Sequence, residues 1–207
     1  LFDSNGGNSA MNIGASTWND FVTFRTRSGT VTVEGIIDAS GAGTGNTTNN
    51  LVIATDTVFA NTFGAGALEA GTGRFLVYSA DPAANTLGGQ VYDAKRYNRT
   101  YAGYAPGAVT ETGNVMLYSI APTLTVTADD ASRAEGAANP GFTYTVDPAG
   151  LIDGDAIGAI GLAGAPALTT LADGSSVAGV YAISAAAGTL SNALGYTFAF
   201  VDGNLTV

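Results

Sequence analysis

Aromatic and basic side chains cluster in one stretch of this chain of 207 residues, where they could bind a sugar ring or an acidic glycan. Tyr97, Tyr101 and Tyr104 are spaced i, i+4, i+7, which places side chains on one face of a short helix. Tyrosine rings offer flat apolar faces, and guanidinium groups bind carboxylates in a fixed geometry. The candidate glycan-binding residues are Tyr92, Arg96, Tyr97, Arg99, Tyr101 and Tyr104. The alternative is that these rings cover an exposed end of the fold, since an open β-edge needs a cover.

Two acidic pairs could supply oxygen ligands to calcium. They are Asp129-Asp130 and Asp153-Gly154-Asp155. Neither pair has the ligand spacing of a calcium loop, and Asp-Gly is ordinary turn chemistry. The sequence therefore predicts no metal and no cofactor, with calcium at Asp153 and Asp155 kept as the weaker alternative.

Several classes of chemistry are excluded by composition. The chain has no histidine and no cysteine, which removes disulfides, thiolate nucleophiles, the usual zinc sites and every triad that uses histidine. No pair of carboxylates is singled out for glycoside hydrolysis, so a glycosidase is the least favoured alternative. We predict that the chain is not an enzyme. Its net charge of −10 argues against nucleic acid or an anionic membrane as a partner. No apolar run approaches the roughly 20 residues of a membrane span.

The elements that must position these residues are short apolar runs with glycine-rich connections. Gly73–Ser79 is the most strand-like, and similar runs occupy 31–33, 51–53 and 115–119. A recurrence near 20 residues predicts stacked coils of a β-solenoid. The longer interval before residue 115 predicts a Tyr-rich capping insertion over residues 80–113.

Two consequences follow for the solenoid. Arg74 heads the central strand, so we expect it to be partly buried, with its guanidinium bonded either to a carboxylate, for which Glu69 and Asp81 are the nearby candidates, or to several carbonyls. At the N-terminal end, Phe21, Val22 and Phe24 are expected to be half buried at best, because the segment available to cover that edge, Leu1–Ser28, lacks the charges and prolines that usually protect one. The missing coil would be supplied by the parent chain or by another copy stacking head to tail, which would build a filament.

The second half of the chain has a different strand pattern, which begins near Ile120-Ala121-Pro122. Strand-like alternations occupy 124–126, 142–146, 167–170, 180–184, 196–201 and 205–207. Asp202-Gly203-Asn204 predicts a hairpin turn before the last of them. The expected organisation is all-β: solenoid coils in 1–120 and a small β-sandwich or β-grasp-like domain in 121–207.

Residues 59–119 carry a first family resemblance. Phe59–Leu68, Gly73–Ser79, Pro82 and Leu87-Gly88-Gly89 resemble the C-terminal solenoid region of two-partner-secretion exoproteins, the filamentous-haemagglutinin-like adhesins. That resemblance implies a right-handed parallel β-helix, export to the bacterial surface, and a structural or adhesive role.

The second half resembles the MBG repeat of bacterial surface proteins. The residues that carry this resemblance are Leu124–Ala128, Asp130–Ser132, Gly136, Ala138–Pro140, Gly150-Leu151, Gly154-Asp155, Gly179–Tyr181 and Gly203–Val207. Glu135 departs from the pattern, which usually has an aromatic residue before the glycine. Such repeats usually serve as stalk modules.

Together these observations predict a structural part of a secreted bacterial surface adhesin or extracellular fibre, acting in attachment, biofilm or filament formation. The expected partners are other copies of the chain, with host or matrix glycans as further candidates. The alternative function is a glycan-binding module that uses the Tyr/Arg patch at residues 92–104.

Overall fold

The chain divides into two units at residue 120. The computed structural model describes residues 1–4, 9–45 and 47–207, with only the backbone described at Ser4. The first unit is Leu1–Ile120 and the second is Ala121–Val207. Each unit is built from short strands connected by glycine-rich turns.

The first unit consists of strands of two to seven residues, with 3₁₀ turns at Pro82–Ala84 and Pro106–Ala108. Its described strands are β1 (Phe2–Ser4), β2 (Met11–Ile13), β3 (Ser16–Thr17), β4 (Val22–Thr26), β5 (Val31–Val33), β6 (Ile37–Asp38), β7 (Asn49–Thr55), β8 (Phe59–Asn61), β9 (Leu68–Glu69), β10 (Arg74–Ser79), β11 (Ala94–Arg96) and β12 (Val115–Tyr118).

These strands form three parallel sheets, as in a β-helix. Sheet A has the order β1-β4-β7-β10-β12-β11, sheet B has β2-β5-β8, and sheet C has β3-β6-β9. From β1 to β9, successive strands lie in sheets A, B and C in turn. Each set of three strands therefore forms one coil, which stacks on the previous coil. All strand pairs in the three sheets are parallel. The predicted β-helix fold is confirmed, and its handedness stays a prediction.

The length of a coil differs from the predicted 20 residues. Val22 lies beside Leu51, 29 positions later, and Leu51 lies beside Phe75, 24 positions later. Val31 pairs with Phe59 in sheet B, so Val31 and Leu51 are in different sheets. The predicted recurrence therefore compared strands of two different faces. It was wrong because several strands are only two or three residues long and give almost no apolar signal.

The central strands of sheet A, β7, β10 and β12, are buried on both faces. All six residues of β10 are buried. One face carries the cluster Val52, Ala54, Leu76, Tyr78, Val109, Val115 and Leu117. Because side chains alternate along a strand, Leu51, Ile53, Phe75 and Val77 point to the opposite face, into the solenoid. The outer face of sheet A therefore needs a cover from outside the coils.

The start of the solenoid lies earlier than predicted. β1, β2 and β3 form a coil before β4, in residues whose polar, glycine-rich sequence resembles a loop. Val22 and Phe24 are consequently buried, at 2% and 6% exposure, while Phe21 is 58% exposed. The expectation that all three would be half buried at best is wrong for Val22 and Phe24.

The second unit is a small all-β domain with two sheets, and this part of the predicted fold class is confirmed. Its described strands are β13 (Thr123–Ala128), β14 (Ala131–Ser132), β15 (Tyr144–Asp147), β16 (Ala167–Thr169), β17 (Val180–Ala186), β18 (Thr197–Val201) and β19 (Gly203–Thr206). The sheet orders are β15-β13-β18 and β14-β19-β17-β16. The pairs β13–β18 and β14–β19 are parallel, and the others are antiparallel. Ala128, Ala172, Ile183 and Leu205 form a buried core cluster.

The predicted hairpin at residues 202–204 is not formed. β18 and β19 belong to different sheets, so the chain changes sheet at Asp202 instead of turning back. The Asp202 carboxylate accepts a hydrogen bond from the Ala185 backbone N–H at 2.8 Å. A Cβ at Gly203 would lie 2.4 Å from the carbonyl oxygen of Ala128, which explains the glycine. The same residue types that favour hairpins here permit a close crossing between sheets.

Candidate functional site

The Tyr-rich segment, residues 80–113, does not contain the predicted helix. After β11 the chain turns at Asn98, which has a positive φ of 54°. A single helix-like hydrogen bond follows, from the Tyr104 N–H to the Thr100 carbonyl at 2.9 Å. The helical alignment of the tyrosines is therefore wrong, because Tyr97 continues the strand direction of β11 while Tyr101 and Tyr104 lie beyond the turn.

Tyr97 is part of the solenoid core. It is 0% exposed, and its ring stacks on Tyr118 with centroids 5.8 Å apart and planes at 25°. The parallel pairing of β11 with β12 places Arg96 beside Leu117, so the next residues on each strand are also neighbours. Tyr97 consequently presents no open ring face to a sugar.

Tyr101 and Tyr104 cover the outer face of sheet A. The Tyr101 ring meets Tyr78 edge-on at 5.3 Å, and the Arg25 guanidinium lies 4.4 Å from its centroid. The Tyr78 hydroxyl donates to the Tyr104 carbonyl at 2.8 Å, and Arg99 lies 4.9 Å from the Tyr104 ring centroid. Burial raises the pKa of Tyr78 above its ordinary value. These contacts hold the segment against the sheet.

Arg74 anchors the segment from below. The prediction that it is buried and bonded is confirmed, since it is 1% exposed. Its Nε donates to the Asn49 side-chain oxygen at 2.5 Å, its Nη2 donates to the Val109 carbonyl at 2.9 Å, and its Nη1 donates to the Glu111 carbonyl. Burial lowers the pKa of Arg74, and the nearby Glu111 opposes that effect. Of the two predicted kinds of partner, a carboxylate or several carbonyls, the guanidinium thus bonds carbonyls, together with the Asn49 side-chain oxygen.

Arg96 also serves to fix the segment. Its Nε lies 2.7 Å from Glu111 Oε1, and the Glu111 side chain is only 7% exposed. The other Glu111 oxygen accepts from the Tyr104 hydroxyl at 3.2 Å. Lys95 lies 5.7 Å from the Tyr97 ring centroid, and Tyr92 is half buried. Of the six predicted glycan-binding residues, Arg96, Tyr97, Tyr101 and Tyr104 thus have packing or ion-pair contacts within the fold.

The structure favours the cover interpretation of the tyrosines and changes what they cover. Tyr97 closes the end of the core, whereas Tyr101 and Tyr104 lie over the outer face of sheet A. Glycan binding by the patch stays a prediction. Of the six residues, Tyr97 is fully buried, and the other five are half buried.

Asparagine residues that sequence reasoning missed tie the segment to the coils. Asn49 Nδ2 donates to the Pro106 carbonyl at 2.8 Å, and Asn114 Oδ1 accepts from the Phe75 N–H at 3.0 Å. Asn85 Oδ1 likewise accepts from the Phe59 N–H at 3.0 Å. The only signal in the sequence is the position of these residues at strand ends, where an amide can bond backbone groups left unpaired.

The calcium candidates have turn roles. Asp153 and Gly154 both have positive φ, and the Asp155 N–H bonds the Ile152 carbonyl at 3.0 Å, which closes a tight turn. Asp155 Oδ2 accepts from the Tyr196 hydroxyl at 2.8 Å. In the described part of the chain, no three His, Cys, Asp or Glu side chains are grouped to hold a metal ion.

Asp129 and Asp130 bind neighbouring strands. The two carboxylate oxygens of Asp129 accept from the hydroxyls of Thr143 and Thr145 at 2.7 and 2.8 Å. Asp130 accepts from the Asn204 N–H at 2.7 Å. Both residues therefore stabilise the edges of the second unit's sheets.

Comparison with known proteins identifies the second unit. Residues 124–206 match the family described as MBG domain (YGX type), which confirms the predicted MBG-type repeat. No curated protein and no solved structure matches the chain. MBG domains occur in surface-associated repeat proteins, so the chain carries a surface-protein module compatible with a structural extracellular role. Among the residues that the structure describes, no helix is long and apolar enough to cross a membrane.

Proposed function

We propose that the chain is a structural part of a secreted bacterial surface adhesin or extracellular fibre, acting in attachment, biofilm or filament formation. The observation that carries this proposal is a parallel β-helix followed in the same chain by an MBG domain. Both are modules in which regular strand pairing, and not a catalytic pocket, accounts for most of the structure.

The finer features of the proposal rest on the resemblance of residues 59–119 to two-partner-secretion exoproteins. We take the first unit as a solenoid exported by that route and the second as a stalk module that folds separately. The work of the chain is then mechanical, namely extension, spacing and surface contact, without catalysis.

The distribution of charge supports an extracellular stalk. Residues 121–207 carry eight acidic residues and a single base, Arg133. A surface of one sign keeps neighbouring modules soluble and apart, since like charges repel. Arg133 itself is used within the unit, because its Nε donates to Asn139 Oδ1 at 2.7 Å.

The test is protease treatment of intact cells of the producing bacterium, with an antibody raised against the MBG part. We expect the antibody to bind intact cells, and the signal to disappear after brief treatment with proteinase K. A cytosolic protein probed in parallel is the control, and it must survive the treatment. A strain that lacks the protein should attach less to a surface, and the wild-type gene should restore attachment.

Two results would contradict the proposal. The first is antibody binding that requires cell lysis, which would place the protein inside the cell. The second is turnover of a polysaccharide by the purified chain that a carboxylate substitution abolishes, which would make it an enzyme.

A further inference from the structure

Three asparagines of this chain stand two residues before a threonine, in the pattern Asn-X-Thr that N-linked glycosylation requires. They are Asn46, Asn98 and Asn204. A chain rich in threonine forms this pattern by chance, so the sequence alone does not separate the three. A bulky sugar can be attached only where the asparagine lies at the surface, and the structure applies this requirement to Asn98 and Asn204. Asn46 lies outside the described residues.

Asn98 lies in an exposed turn of the Tyr-rich segment, after β11 and outside the named strands. Asn98 and Thr100 are both exposed, and Arg99 between them is half buried. The backbone N–H groups of Asn98 and Arg99 donate to the carbonyls of Ile120 and Tyr118 at 2.7 and 2.8 Å. The turn therefore has a fixed place on the solenoid, and both residues that the pattern requires are at its surface.

The side chains of Asn98 and Thr100 keep the groups that the reaction uses. Asn61 Nδ2, which stabilises the coils, donates to the Gly64 and Leu87 carbonyls at 2.8 and 2.9 Å. Within the described residues, the Asn98 amide nitrogen has no such bond. The Thr100 hydroxyl accepts from the Gly103 N–H at 3.0 Å, which leaves its own proton able to donate.

Asn204 has the same sequence pattern in a different setting. It belongs to β19, which lies between β14 and β17 and pairs with both. Its N–H donates to Asp130 Oδ1 at 2.7 Å, and Leu205, the middle residue of the pattern, is fully buried in the core cluster. An enzyme could bind this triplet only after β19 left the sheet, and core strands open at close to the full free energy of unfolding.

We propose that Asn98 is a glycosylation site, an inference that rests on the proposed extracellular function because modified Asn-X-Thr sites belong to surface loops of exported proteins. The co-substrate is a sugar activated by a phosphate on its anomeric carbon, and a glycosyltransferase of the producing cell catalyses the transfer. The Asn98 amide nitrogen forms a bond to the anomeric carbon, and the bond from that carbon to the phosphate oxygen breaks. The phosphate leaves with the bonding electrons, and one amide proton passes to a base of the transferase.

The test is mass spectrometry of the protein isolated from the producing bacterium. Cleavage after acidic residues, at Asp93 and Glu111, releases residues 94–111 as one peptide, whereas trypsin would cut the pattern at Arg99. We expect residues 94–111 to be heavier by the mass of one or more sugar residues, with fragment ions that locate the addition at Asn98. The peptide that begins at Gly203 should have its unmodified mass.

Four variants separate the chemistry from the fold. Asn98→Asp removes the nucleophilic nitrogen but keeps a residue type that tolerates the positive φ of 54°, so its peptide should be unmodified. Thr100→Val should also be unmodified, and Thr100→Ser, which restores the hydroxyl, should be modified. Asn204→Asp is the matched control and should carry the same addition at Asn98 as the wild type.

Residues 94–111 at their unmodified mass would overturn the inference, and so would an addition at Asn204 in place of Asn98. If intact cells display the protein with this peptide unmodified, the inference fails and the proposed function stands. If the protein is detected only after lysis, the proposed function fails, and the mass of residues 94–111 still decides the inference.

Discussion

At the N-terminal end of the solenoid, the edges of β1, β2 and β3 are unpaired within the described residues, and Phe2 is half exposed. At the C-terminal end, the edges of β8 and β9 bond to Thr86 and Gln90, and Tyr97 is fully buried against Tyr118. Within the described residues, the edge strands at the two ends of the stacked coils therefore differ in whether they have hydrogen-bond partners.

The comparison shows that the stacking of coils does not by itself supply partners for the edge strands at the end of a solenoid. The covered end requires the whole Tyr-rich segment, which contains four of the nine tyrosines and three of the seven basic residues of the chain. These residues are bonded to the coils by Arg74 and Asn49. We therefore expect the Tyr-rich segment and its anchors to contribute more to the stability of the first unit than β1, β2 and β3 do.

The largest effect is expected from Arg74→Met, which removes the anchor of the covered end. The buried Val109 carbonyl and two partly buried acceptors, on Asn49 and Glu111, would lose their donor. Because a buried acceptor left without a donor costs about 1–3 kcal/mol, we expect the free energy of unfolding to fall by roughly 3 kcal/mol. The change in the free energy of unfolding is measured from the urea-denaturation transition of the first unit. Arg27→Met at the open end is the control, and we expect less than about 1 kcal/mol there because its ion pair is largely exposed. Equal midpoints for the two variants would show that Arg74 is not an anchor.

A smaller contrast is expected between two aromatic residues at the open end. Phe2 and Phe24 are register partners in sheet A, but Phe24 is 6% exposed and Phe2 is 47% exposed. Phe24→Ala should cost about 3 kcal/mol because it leaves a cavity in a packed core, and Phe2→Ala should cost about 1 kcal/mol or less. The measurement is the unfolding midpoint at a concentration where the chain is monomeric. If Phe2→Ala were as costly as Phe24→Ala, the N-terminal end would be as well packed as the coils.

The sequence predicted strands well and their stacking poorly. The run at 31–33 matches β5, and the run at Gly73–Ser79 matches β10 to within one residue. Apolar alternation is a local property, so it locates a strand without showing which sheet holds it. The two-residue strands of sheet C contain no run at all, and without them the coils could not be assigned to their three faces.

The contacts within the candidate site could not be predicted for a different physical reason. Burial of Arg74 could be predicted because the apolar residues that follow it leave no route to solvent. Its partners could not, since the carbonyls of Val109 and Glu111 lie 35 and 37 positions away and carry no residue-type signal. The spacing of Tyr97, Tyr101 and Tyr104 fitted a helix, but the pairing of β11 with β12 overrode that local preference.

The smallest effect concerns the ionisation of Tyr78 beneath the cover. Burial raises the pKa of Tyr78, so the folded state keeps the hydroxyl protonated above the ordinary tyrosine pKa of about 10. Below pH 10 both states are protonated and the contribution of Tyr78 to stability is complete. As the pH rises past 10, the unfolded state ionises first and is stabilised, so the free energy of unfolding falls.

At neutral pH, Tyr78→Phe should cost about 1 kcal/mol through the lost bond to the Tyr104 carbonyl. Between pH 10 and pH 11 that deficit should shrink, because only the wild type still loses stability through this group. Parallel curves for wild type and Tyr78→Phe would mean that the cover admits water and that the covered end is more open than its contacts indicate.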